Sequence, residues 1–158
     1  ISPYLECYCS STAFNTDNSD IQSVTINGVT NTLNCTTTAP GQGSVLKKYS
    51  NFHPLGNLTD LELEGVIPFS IEVDNCDPAP YNSFATSIWI DFNHNGIFSD
   101  AGEQVFIENT AVAGPRTVVG NFTIPCTALT GQTGMRITVV EGFSGSSIVP
   151  CLLYSSGA

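Results

Sequence analysis

Positive charge is what this sequence has least of. Among 158 residues only Lys47, Lys48, Arg116 and Arg136 are basic, against 14 Asp and Glu, for a formal charge of −10. Nucleic-acid binding needs cations to neutralise phosphates, and four cannot build such a surface. Adhesion to anionic lipid is disfavoured for the same reason. Charge of either sign is scarce: 11% of residues, against roughly 25% in an ordinary soluble domain. The surface must therefore be polar but uncharged. No apolar stretch approaches the ~18 residues of a membrane-spanning helix. Position 1 is Ile, and no basic region followed by an apolar run opens the chain. Any signal peptide is expected to be removed already or to lie outside these residues.

Catalytic signatures are equally sparse. The two histidines are His53 and His94, and no HExxH pattern occurs. Gly142-Phe143-Ser144-Gly145 is not a GxSxG elbow, and Gly41-Gln42-Gly43 lacks the rest of a phosphate loop. Glu62 and Glu64 read as the wet face of a half-buried strand. His94 is expected to be exposed and His53 to sit in a loop. An enzyme is not expected.

What is present begins with six cysteines, Cys7, Cys9, Cys35, Cys76, Cys126 and Cys151. There is no CxxC pair, and Cys7-Tyr8-Cys9 is too tight for a usual zinc pair. An even number spread end to end, with few charges, points to an oxidising compartment and three disulfides. The expected location is extracellular.

The chain is punctuated by Gly, Pro, Asn and Asp between short β-branched and aromatic runs. Strands are expected at 21–29, 65–73, 84–92, 104–108, 116–124 and 135–140. Ile88, Ile90 and Phe92 share one strand face; so do Met135, Ile137 and Val139, with Arg136 and Thr138 opposite. Such alternation fits a sheet with one buried face. The expected fold is all-β: a disulfide-stapled β-sandwich of jelly-roll or immunoglobulin-like topology. Residues 31–60 are the least regular, and Asp77-Pro78-Ala79-Pro80 marks a stiff break. Residues 1–8 read as an N-terminal arm and 9–158 as the domain.

The stretch 91–103, DFNHNGIFSDAGE, carries the clearest chemistry. Asp91, Asn93 and Asn95 place side-chain oxygens at alternate positions, and Gly96 then permits a sharp turn. Such a loop can wrap a hard cation, with the Ile97 carbonyl adding a ligand and Asp100 or Glu103 closing the shell. This is similar to the first half of an EF-hand loop, with the closing acid one place later. A structural Ca²⁺ is expected there. Asn95-Gly96 is also a hairpin turn signal in its own right, and a metal can pin a hairpin.

Trp89-Ile90-Asp91-Phe92-Asn93-His94-Asn95-Gly96, through Asp100-Ala101-Gly102-Glu103, resembles the central motif of the GEVED domain family. The likeness extends outward to Tyr8-Cys9, to Phe122-Thr123-Ile124-Pro125 with Thr133-Gly134-Met135-Arg136-Ile137, and to Pro150-Cys151 with Tyr154. It covers most of the chain from Cys9 onward. The Gly-Glu-Val-Glu-Asp segment that names the family does not occur in these 158 residues. The resemblance implies a β-rich extracellular module of larger secreted or cell-surface proteins. It also implies pairing of Cys9 with Cys151.

Two binding functions compete. The first is a structural or adhesive subunit that self-associates into a filament, or joins neighbouring modules, with residues 1–6 adding a strand to the next copy. The second is a carbohydrate-binding module using Tyr4, Tyr8, Tyr49, Phe52, Tyr81 or Tyr154. Glycans are possible at the sequons of Asn34, Asn57 and Asn121. Yet 13 Asn and 33 Ser plus Thr give about three such triplets by chance, so their number carries no information.

Overall fold

Strict alternation dominates the longest strand. In Val66–Asp74, residues Ile67, Phe69, Ile71 and Val73 are buried while Val66, Pro68 and Glu72 are exposed. A period of two puts one row of side chains into a core and the other into water. The computed structural model describes residues 3–15, 19–76, 80–151 and 153–156. Its ten strands are β1 (Thr12–Asn15), β2 (Asp20–Ile26), β3 (Val29–Thr32), β4 (Val66–Asp74), β5 (Ser83–Ile90), β6 (Gln104–Ile107), β7 (Val112–Ala113), β8 (Arg116–Thr123), β9 (Met135–Glu141) and β10 (Leu153–Ser156).

Two antiparallel sheets pack face to face. The first has the order β3-β2-β4-β8. In the second, β5 is central: β9 pairs with one edge along Phe84–Ile90, and β6 and β7 pair with it as well. Ile67, Phe69, Ile71, Val73, Val118 and Phe122 of the first sheet meet Phe84, Ile88, Ile90 and Val139 of the second in one cluster. Phe69 meets Phe106 edge-on across the interface, with ring centroids 4.7 Å apart. Phe69 also lies over its cross-strand partner Gly120, where a Cβ would sit 2.9 Å from the ring. Glycine there makes room for an aromatic ring that would otherwise collide with a side chain.

The second sheet is covered on both faces, which differs from the one-sided sheet expected. Ser87, Trp89, Arg136 and Thr138 are all buried. Trp89, Ala85 and Val140 pack with Phe98, Ile148, Tyr8 and Val149 in a second cluster. The covering layer comes from loops and from the N-terminal segment, and loop residues carry no periodicity that would announce it. Residues 21–29 are also not one strand. Asn27 and Gly28 both take positive φ, at 49° and 80°, and turn β2 into β3. Glu62 and Glu64 lie in the turn before β4, not on a strand.

The ends of the described chain meet. β1 and β10 pair in parallel, Thr12 beside Leu153 and Ala13 beside Tyr154. The Cys9–Cys151 disulfide ties the same region, as the family resemblance implied, and Cys35–Cys76 fastens the irregular 33–64 stretch to the end of β4. Only these two of the three expected disulfides form among the described residues; Cys7 and Cys126 are exposed and lie outside both. Ile1, Ser2 and Asp77-Pro78-Ala79 fall outside the described residues.

Candidate metal site

The loop 91–103 leaves the core at the end of β5 and returns at β6, so the Trp89 to Gln104 pairing closes its base. Asp91 is fully buried there. Its carboxylate accepts the backbone N–H of Asn95 (3.2 Å) and Gly96 (2.9 Å), and the Tyr8 hydroxyl (3.0 Å). The Asn93 side-chain oxygen accepts the Asn95 N–H, and the Asn95 oxygen accepts the Ile97 N–H. These i→i+2 bonds are the local turns that Asp and Asn favour. They curl the chain around the alternate oxygens. His94 and Gly96 take positive φ, 59° and 82°, to complete the curl.

Asp100 closes the loop from the other side. Its Oδ2 accepts the side-chain amides of Asn93 (2.8 Å) and Asn95 (2.6 Å). Those two bonds hold the Asp100 carboxyl below the usual carboxylate range. Glu103 is only 2% exposed. Its Oε1 accepts the N–H of Phe92 and Asn93, at 3.0 and 3.4 Å. Its Oε2 is buried and has no hydrogen-bond partner. Burial pushes the Glu103 carboxyl up, and the charges of Asp91 and Asp100 push the same way. A desolvated carboxylate with an unsatisfied oxygen beside two others is costly unless a cation compensates it. Glu103 and Asn93 also border a cleft shared with Gly102 and Thr127.

The residues therefore fit a hard cation. Asp91, Asn93, Asn95, Asp100 and Glu103 all lie in this one loop. Asp91 Oδ2, Asp100 Oδ2 and Glu103 Oε1 each already accept two hydrogen bonds. Asp91 Oδ1 and the Asn93 and Asn95 side-chain oxygens accept one and keep a lone pair, and Glu103 Oε2 keeps both. Ile97 is exposed and its N–H is bound within the loop. The three acids do not form a tight trio. Among the described residues, the one group of three His, Cys, Asp or Glu ligand atoms lying within 4.8 Å of one another is Asp20, Cys35 and Cys76, and its two sulfurs are joined in the disulfide. A cation in the loop would draw on amide and carbonyl oxygens as much as on carboxylates, as calcium does.

The N-terminal segment packs against this loop, and beyond the Tyr-Cys resemblance no residue pattern announces that contact. Read from sequence as an extended arm, Pro3–Glu6 is instead a 3-10 turn. The Tyr4 ring stacks on His94 at 4.8 Å, so His94 is half-covered and not open to solvent. The Tyr4 hydroxyl donates to the Gln132 carbonyl. Tyr8 stacks on Phe98 at 4.3 Å. The Tyr8 hydroxyl accepts the Gly134 N–H while donating to Asp91. Burial, then the Asp91 bond, push the Tyr8 phenol above its ordinary range.

The remaining expected positions are dispersed. Asn57 and Asn121 are exposed, Asn121 on the outer face of β8. Asn34 is also exposed, but its side-chain oxygen already caps Thr36 and Thr37. Of the aromatics considered for sugar binding, Tyr81 is exposed, while Tyr4, Tyr8, Tyr49 and Phe52 are half-buried. The Tyr154 side chain is outside the described residues.

Comparison with known proteins places one family on the chain: the sequence model of the GEVED domain matches residues 85–158. That span starts inside β5 and includes the whole loop. No curated protein and no solved structure matches.

Proposed function

Residues 85–158 belong to the GEVED domain family, and from that premise we propose that the chain is a non-catalytic structural module of an extracellular protein, pinned by a calcium ion in the loop 91–103. The observation that carries this reading is the buried, unpartnered Oε2 of Glu103 beside Asp91 and Asp100. Asp91, Asn93, Asn95, Asp100 and Glu103 would hold the ion, with the Ile97 carbonyl as a further ligand. The ion supplies charge compensation and cross-links the two ends of the loop. The protein's own residues do the rest: Tyr8 and the Gly96 N–H orient Asp91, and the backbone of Phe92 and Asn93 orients Glu103.

Two disulfides and a surface poor in charge support an extracellular setting. No helix of the described residues is long and apolar enough to cross a membrane. The module's partners would be neighbouring modules of a larger chain or further copies of itself, with glycans at Asn34, Asn57 or Asn121. A filament built by donating residues 1–6 would have to break the Tyr4–His94 stack. The geometry therefore favours a module fixed within a larger protein.

Thermal unfolding in calcium and in EDTA tests the reading. A modest extracellular-type site, at a calcium concentration about tenfold above Kd, stabilises by about 1.4 kcal/mol. For a chain of this size that is a rise in Tm of roughly 3–6 °C.

A further inference from the structure

The two disulfides sit in opposite electrostatic surroundings. Arg136 Nη1 lies 3.2 Å from Cys9 Sγ. Arg136 is 8% exposed; its guanidinium donates to the Pro150 carbonyl at 2.7 Å and stands over the Phe98 ring. Its other polar neighbours are the phenols of Tyr49 and Tyr8, and among the described residues no carboxylate pairs with it. A buried cation thus faces a sulfur and neutral groups. At Cys35–Cys76 the neighbour is an anion: Asp20 Oδ2 lies 3.0 Å from Cys76 Sγ, and Gln22 Nε2 contacts both sulfurs. Access differs too. Cys151 is exposed, whereas Cys9, Cys35 and Cys76 are half-buried.

Thiol–disulfide exchange is governed by which sulfur a thiolate can reach and by how well the other sulfur leaves as a thiolate. A neighbouring guanidinium stabilises a thiolate; a neighbouring carboxylate opposes both the leaving thiolate and the incoming one. We propose that Cys151 is a covalent modification site for thiols, at which an attacking thiolate forms a mixed disulfide and expels Cys9 as a thiolate held by Arg136. The attacking sulfur bonds to Cys151 Sγ, and the bond between Cys151 and Cys9 breaks. Its electron pair stays on Cys9 Sγ, beside the Arg136 guanidinium, which among the described residues has no carboxylate partner. With a dithiol, the second thiolate attacks the mixed disulfide, the reagent cyclises to its own disulfide, and Cys151 leaves as a thiolate. Opening this bond removes the covalent tie beside the β1–β10 pairing and leaves the Cys35–Cys76 staple in place.

The test is timed reduction of the folded protein with dithiothreitol at pH 8, after alkylation of any thiol already open, with peptide mapping of each cysteine. Cys9–Cys151 is expected to open about tenfold faster than Cys35–Cys76. A monothiol, 2-mercaptoethanol, is expected to leave its adduct on Cys151 and not on Cys9. Arg136→Met is expected to slow opening about tenfold, while Arg136→Lys, which keeps the cation, stays within about threefold of wild type. Should Arg136→Met fail to fold, Asp20→Asn carries the charge argument from the other side by speeding the opening of Cys35–Cys76. Equal rates for the two disulfides, an adduct on Cys9, or rates indifferent to Arg136 and Asp20 would overturn the assignment.

Discussion

The Tyr8 hydroxyl donates to Asp91 Oδ2 at 3.0 Å, joining two residues 83 positions apart in the chain. One end of that bond is the segment before the first disulfide; the other is the first position of the loop 91–103, where the cation is proposed. The bond therefore couples the seating of the N-terminal segment to the shape of the loop. Gly134 reinforces it, because its N–H donates to the same hydroxyl and any Cβ there would strike the Tyr8 ring at 2.5 Å.

Replacing Tyr8 by Phe keeps the stack on Phe98 and removes the hydroxyl. Asp91 loses one of three donors and the Gly134 N–H loses its acceptor. A hydrogen bond to a charged group contributes about 1.5–3 kcal/mol, so Tm is expected to fall by roughly 3–12 °C. Differential scanning calorimetry of the two proteins measures it; an unchanged Tm would mean the bond contributes nothing.

Gly96 takes φ +82°, and a Cβ there would stand 3.3 Å from both Cys7 Cβ and the Tyr4 carbonyl oxygen. Gly96→Ala combines a left-handed backbone penalty of about 1–2 kcal/mol with a crowded neighbour. The expected outcome is a lower Tm together with faster amide exchange at Tyr8 and Cys9, since the N-terminal segment is what the methyl pushes. A loss of stability without faster exchange there would separate the loop from the segment.

Arg116 forms a two-pronged pair with Glu108, at 2.8 and 2.9 Å. It also donates to the Phe84 carbonyl and lies over the Phe84 ring at 4.1 Å. Both partners are mostly buried, so the pair is less screened than a surface one. Arg116→Ala leaves Glu108 with the Thr86 N–H alone and is expected to cost about 2–3 kcal/mol in urea unfolding. Arg116→Lys, which lacks the planar fork, recovers part of that and not all.

Burial raises Asp20 from 3.8 to about 6, partly offset by the Ile21 N–H and by Lys47. An acid whose folded value is raised favours folding when protonated. Its contribution is full below the unfolded value near 4 and is lost as pH rises through about 6. Asp20 is partly open to solvent, so the change is discounted to about 1–2 kcal/mol. The stability difference between Asp20→Asn and wild type should therefore shift in favour of the variant between pH 4 and 6.5. Parallel stability curves for the two proteins over that range would contradict the shift.

Much of the fold was legible in the residues. β4, β6, β8 and β9 lie within one or two residues of the expected strands: β4 and β8 alternate against a single core face, and β9 is bounded by Gly134 and Gly142. The loop 91–103 was legible because its oxygens alternate in sequence. The hairpin at Asn27-Gly28 was missed although it carries the same turn pair as Asn95-Gly96; the β-branched residues on either side read as one run. The second buried face of β5 and β9 could not be read locally. Ser87, Thr138 and Arg136 are polar residues buried by distant segments, and burial of that kind depends on tertiary contacts made by Tyr8, Phe98 and Ile148. The parallel β1–β10 pairing joins residues more than a hundred positions apart, and only the cysteines hinted at it.

The central claim is that a cation belongs in the loop 91–103, and it turns on Glu103. Glu103→Gln removes the buried negative charge while keeping an oxygen for the N–H groups of Phe92 and Asn93. Melting of wild type and Glu103→Gln, each in calcium and in EDTA, is the most direct measurement. The account predicts a wild-type Tm higher in calcium by roughly 3–6 °C, and a Glu103→Gln Tm that does not respond. A wild-type midpoint identical in calcium and EDTA, or an equal calcium response in the variant, would contradict it.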